Sequence, residues 1–224
     1  MPVLPILLAP ADHLLRGVGA FDPRRVLTPR LRPLVLIAAC FGALYGGVMG
    51  SYNLHAPERL LQVVYSAIKV PILLAGTTLV CLPAFFVLNS VVGLRDDFSR
   101  ALRAIIAGQA TLGVCLAALA PLTRLWYFSV PGHDAALLFN AAMFALAALG
   151  AQRVIFRWYG PLLRRDPRHR ALFVSWFALY GFVGIQMGWM LRPFVGSPGL
   201  RVTFFRPEPF TNAYVVIVRL VFGS

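Results

Sequence analysis

The stretch LVLIAACFGALYGGVMGSY, Leu34 to Tyr52, decides the class of fold. It holds no charged side chain over about the 20 residues that a helix needs to cross a bilayer, and it follows Arg30, Arg32 and Pro33. It therefore predicts a first transmembrane helix. Gly42, Gly46 and Gly50 recur within it at every fourth residue. Helical spacing puts them on one face, where the absent side chains let a second helix approach closely.

Four more apolar runs follow. Pro71 to Gly93 comes after Lys69, contains Pro83, which kinks a helix or leaves carbonyls unpaired, and has Asn89 near its far end. Ala101 to Leu119 stops at Pro121 and has Gln109 in its middle. Ala135 to Phe156 is rich in alanine, with Asn140 near its start. Leu172 to Leu191 holds Gln186 and runs into Arg192-Pro193. The predicted fold is an all-α integral membrane bundle of five transmembrane helices, one membrane domain over residues 1–224, with no repeat of two halves.

Composition agrees. The chain has 224 residues, 59% of them hydrophobic and 13% charged, with mean hydropathy +0.75; a soluble domain carries about 25% charged residues. The net charge of +13 does not point to nucleic acid, because the basic residues fall in the gaps between apolar runs instead of forming one stripe. Cys40, Cys81 and Cys115 lie inside apolar runs and read as small packing residues. The N-terminal MPVLPILLAP is too short to span and reads as an interfacial segment, with His13 and Arg16 toward the headgroups.

The charge pattern orients the bundle. Five arginines precede residue 33, three lie between the second and third runs, and six lie between Arg153 and Arg170, whereas the alternate loops and the tail share seven lysines and arginines. The positive-inside rule thus predicts a cytoplasmic N-terminus in a bacterial inner membrane and an outer-face tail, Arg192 to Ser224. Within that tail, Ala213 to Phe222 is too short to span and reads as an interfacial segment. Arg192, Arg201 and Arg206 there call for an acidic counterpart: a lipid phosphate, Glu208 or a neighbouring subunit. Arg164, Arg165, Arg168 and Arg170 satisfy the topology rule and also suit anionic headgroups.

Chemistry is sparse. Asp97 or Ser99 reads as the cap of the third helix and Asp96 as an i,i+4 partner of Arg100, since no second acidic cluster completes a cation site. His13, His55, His133 and His169 fall in loops or at span edges and read as solvated, so no metal or axial haem ligand is expected. There is no GxSxG elbow and no intramembrane Ser–His pair, hence no expected enzyme activity. Gln109, Gln186, Asn89 and Asn140 are neutral, which favours interhelical hydrogen bonds over a proton relay. Lys69 and Arg192, near span ends, read as snorkelling. Trp126-Tyr127-Phe128, Trp158-Tyr159, Trp176 and Trp189 read as interfacial belts.

QMGWMLRPFVGSPG, then FFRPEP and TNAY, and more loosely KVPILL…CLPAFFVLN from Lys69 to Asn89, are similar to a group of uncharacterised bacterial multi-helix membrane proteins. That resemblance implies an integral membrane protein and transfers no activity. The five-helix layout, with GLRDDFSRALRAI before the third helix, also resembles the Yip1 type. The expected function is a non-catalytic accessory or scaffold subunit of a respiratory, photosynthetic, secretion or motor complex. Its partners would be other membrane subunits and anionic lipids. Bound lipids, and pigments held by neighbours, are the only small molecules expected. The alternatives are a small transporter or channel subunit, with Pro83, Asn89, Gln109 and Gln186 along a polar path, and a lipid-interacting protein.

Overall fold

A computed structural model describes residues 3–18, 21, 31–54, 59–197 and 201–206. All regular structure among them is helical. Helix α1 spans Val3–Arg16, α2 Leu31–Gly50, α3 Leu60–Val91, α4 Phe98–Ser129, α5 His133–Arg165 and α6 Arg168–Met190, with a short 3-10 turn at Arg95–Asp97 before α4. The five from α2 to α6 are each long and apolar enough to cross a membrane. The predicted interfacial stretch Ala213 to Phe222 and the residues His55 and Glu208 lie outside the described residues.

Successive helices run in opposite directions, which gives the bundle two ends. At one, Asp97 meets Arg165 and His169. At the other, Arg124 reaches Ser51 and Ser197 meets His133. We call these the arginine end and the His133 end. Helix α1 buries Leu7, Ala11 and Leu14, one face at i, i+4 and i+7, and stops at Gly17, whose φ of 68° suits a helix terminus. Arg157 donates to the Leu15 carbonyl and ties α1 to α5 at the arginine end.

The glycine face of α2 meets α3, but its three members differ. A Cβ at Gly46 would collide with the Ser66 carbonyl, and one at Gly50 would lie 2.6 Å from the Gln62 oxygen. At Gly42 a Cβ would have ordinary contacts with Leu74, Val70 and Pro71. The close approach is therefore confined to the half of α2 nearer the His133 end. A similar approach joins α2 to α4, where Gly113 faces the backbone of Ala38.

Three helices are longer than hydropathy alone predicts. The second apolar run begins at Leu60, not Pro71, because Gln62, Ser66 and Lys69 sit one below another at i, i+4 and i+7. That polar stripe faces protein, while Leu60, Leu61, Val64 and Ile68 face outward. The segment thus turns its polar face to the protein and its apolar face outward. Helix α4 continues through Pro121 to Ser129, and α5 runs on to Arg165.

Candidate functional site

The largest concentration of buried polar groups lies near the His133 end. Gln62, Ser66 and Lys69 of α3 are all at most 2% exposed. They face the non-helical segment that follows α6, beginning at Leu191. Lys69 Nζ donates to the Pro193 carbonyl at 2.8 Å, and Ser66 Oγ donates to the Phe194 carbonyl at 2.5 Å. Gln62 Nε2 lies 3.2 Å from each of those two oxygens and 3.1 Å from Ser66 Oγ. Backbone outside a helix leaves carbonyls unpaired, and in apolar surroundings they must find donors within the protein. The α3 stripe supplies them.

This overturns the expectation that Lys69 snorkels. Lys69 is fully buried, and the Phe204 and Phe194 rings cover its ammonium, with centroids at 4.9 and 5.9 Å. Lys69 lies level with the α2 stretch between Gly46 and Gly42, about 6–12 Å inside the end of that helix at 1.5 Å per residue. The chain after α6 folds back: Leu191, Pro193, Val195 and Gly196 are all buried, and the Arg192–Pro193 peptide is cis. Pro198 and Gly199 lie outside the described residues.

Around this anchor sit further cations. Arg59 reaches the Ser197 carbonyl at 3.5 Å, Arg206 donates to Ser197 Oγ at 2.6 Å, and the Arg192 guanidinium lies 3.5 Å from the centre of the Trp189 ring. Ser197 Oγ is also 3.3 Å from His133 Nε2. A guanidinium can only donate, so Ser197 Oγ accepts from Arg206; its hydrogen and its second lone pair both leave it able to pair with Nε2. Arg201 is exposed.

A second buried network joins α2, α4 and α5. Tyr45 donates to Asn140 Oδ1 at 3.0 Å, Asn140 Nδ2 donates to the Tyr127 hydroxyl at 2.6 Å, and Thr123 reaches Tyr45 at 3.4 Å. Gln109 on α4 accepts from Tyr180 on α6 at 2.9 Å, whereas Asn89 turns back on the Phe85 carbonyl of its own helix. Gln186 is half-buried on α6.

The arginine end holds a third network. Asp97 stands at the N-terminus of α4 yet makes no side-chain cap bond there. Its carboxylate instead takes Arg165 at 2.9 Å, Arg100 at 3.4 Å and His169 Nε2 at 3.4 Å, which corrects the predicted capping and the predicted Asp96–Arg100 pair. His169 is no solvated loop residue: it is fully buried, with Nδ1 3.2 Å from the Tyr159 hydroxyl. Trp158, Tyr159 and Trp176 are buried in the core here and do not form a belt.

Of the four loop arginines, Arg165 is engaged by Asp97, and Arg168 is engaged by Asp166 and the Val92 carbonyl. Arg164 and Arg170 are exposed. The hydrogen bonds from Arg168 hold the Asp166 carboxyl down to about 2. These arginines lie at the opposite end from Arg192, Arg201 and Arg206, so the predicted contact residues form two separate groups. The Gln62 stripe and the Asp97–His169–Tyr159 network had no motif to betray them. The only signal was the helical spacing of Gln62, Ser66 and Lys69 inside an apolar run.

Bundle and site together define a polytopic helical membrane protein whose post-helical segment is clamped by a buried polar stripe. The chain matches no family model, no curated protein and no solved structure.

Proposed function

We propose that the chain is a non-catalytic accessory or scaffold subunit of a larger bacterial inner-membrane assembly. The observation that supports this is how the buried polar groups are used. Lys69, Gln62 and Ser66 bind backbone carbonyls, Gln109 binds Tyr180, Asn140 binds Tyr45 and Tyr127, and Asn89 binds its own helix. Groups engaged in this way hold a shape. A permeation path instead needs polar atoms facing one continuous cavity. The transporter alternative puts Gln109 on such a path, but the cavity beside it, about 290 Å³, is otherwise lined by Thr78 and apolar residues such as Val35, Leu74 and Ile106.

On this reading the arginine end faces the cytoplasm, because fourteen of the twenty-one lysines and arginines belong to that side. The clamped segment with Arg192, Arg201 and Arg206 then presents a fixed cationic surface on the outer face to an acidic neighbour. Gentle extraction followed by native mass measurement tests the proposal. The expected species is an assembly heavier than the 24.6 kDa chain, containing other membrane proteins. A lone monomer with no co-purifying chain overturns it.

A further inference from the structure

Helices α5 and α6 touch near their connection, through Tyr159, Phe156, Phe173 and His169, and leave a cleft toward the His133 end. Two adjoining cavities of about 690 and 420 Å³ share Leu73, Phe144, Gly184 and Ile185 and together make that cleft. Both are within the usual range of ligand pockets, roughly 300–1,000 Å³. The deep part is mostly apolar, lined by Leu74, Leu112, Ala148 and Phe177, with Thr77, Tyr180 and Gln152 as its polar members. A Cβ at Gly181 or Gly188 of α6 would meet nothing within 4 Å, so the groove owes its width to glycine.

The mouth differs in kind. It is lined by His133, Arg192, Ser197 and Arg206, and among the described residues no carboxylate lines it. His133 Nδ1 is buried and has no hydrogen-bond partner among the described residues. From Asn140 at the mouth to Gln152 at the deep end the cleft follows α5 for about 18 Å, close to the roughly 15 Å of one hydrocarbon leaflet.

We infer that the cleft between α5 and α6 binds one phospholipid with an anionic phosphate headgroup, its phosphate at Arg206 and His133 and an acyl chain along Phe144, Gly184 and Phe177. Charge complementarity selects this occupant. A partner's apolar helix would fill the groove but would bring no anion to the cationic mouth, and a free phosphate would leave the apolar length empty. A lipid meets both requirements, with charge-assisted hydrogen bonds at the head and apolar burial along the chain.

The site does not depend on the scaffold reading, since its test uses the purified chain alone. Delipidated protein is titrated with phosphatidylglycerol, phosphatidylcholine or inorganic phosphate, and bound mass and thermal unfolding are followed. The expected result is one phosphatidylglycerol per chain. Affinity should fall about tenfold or more in the Arg206→Ala, His133→Ala double variant, the loss expected of charge-assisted bonds. Gly188→Leu, whose side chain enters open space at the mouth, should fold normally and lose the lipid. Equal binding of phosphatidylcholine, equal stabilisation by inorganic phosphate, or a second protein chain displaced by Gly188→Leu would each overturn the inference. So would phosphatidylglycerol binding that neither variant changes.

Discussion

Lys69 Nζ and the carbonyl oxygen of Pro193 stand 2.8 Å apart across 124 positions of sequence, both buried. That contact joins the first half of α3 to the segment that leaves α6. An ammonium in such a place is costly unless its hydrogens are engaged, and an unpaired carbonyl in apolar surroundings is costly as well. Each group answers the other's need.

Lys69→Met keeps the apolar stem and removes the donor. Among the described residues the Pro193 carbonyl then keeps only Gln62, and docking of residues 191–197 should weaken by about 1–3 kcal/mol. Limited proteolysis within that segment should be markedly faster than in the wild type, with the bundle itself intact. An unchanged cleavage rate would count against the clamp.

Gly46→Ala puts a methyl group against the Ser66 carbonyl, whereas Gly47→Ala meets only Val63 and Ala67 side chains at 3.8 and 3.9 Å. The first should lower unfolding stability by about 1–3 kcal/mol as α2 is pushed from α3, and the second should be near neutral. Denaturation in mixed detergent would compare the pair directly.

Asp97→Asn removes the charge that Arg165, Arg100 and His169 share. Both arginines are about half exposed or more, so solvent screening limits the loss to roughly 1–2 kcal/mol. The expected effect is faster amide exchange in the Arg95–Asp97 turn and at the start of α6. Loss confined to one of these would mean that His169 does not couple them.

Asp166 gives a pH prediction. Its carboxyl is held down to about 2 from an ordinary 3.8 by hydrogen bonds from Arg168. A lowered folded-state pKa contributes stability that is complete above the ordinary value and lost as pH falls through the folded one. Any stability difference between the wild type and Asp166→Asn should therefore persist at neutral pH and vanish between pH 3.8 and about 2. Chemical-shift titration of the carboxyl carbon would give the midpoint.

The membrane class was legible because it rests on summed composition: five runs free of acidic residues cannot be hidden in a water-soluble core. The glycine spacing in α2 was legible for a related reason, since helical period alone puts Gly42, Gly46 and Gly50 on one face. Distance along the helix then separated them. Gly46 and Gly50 touch α3 backbone and Gly42 does not, which is a fact about where two axes come close.

Lys69, Asp97 and His169 show where reading by segment stops. Each looked like a boundary residue, since charge in a hydropathy window marks an edge. Their partners, Pro193, Arg165 and Tyr159, come from other segments, and only the packed bundle brings them within hydrogen-bond reach. The sequence alone thus determined the solvent this chain needs and the number and approximate places of its long apolar helices, because these depend on local sums of transfer free energy. Tertiary structure alone decided which polar groups are buried, which carbonyls they hold and where a cleft is left open, because those follow from pairings between residues far apart in the chain.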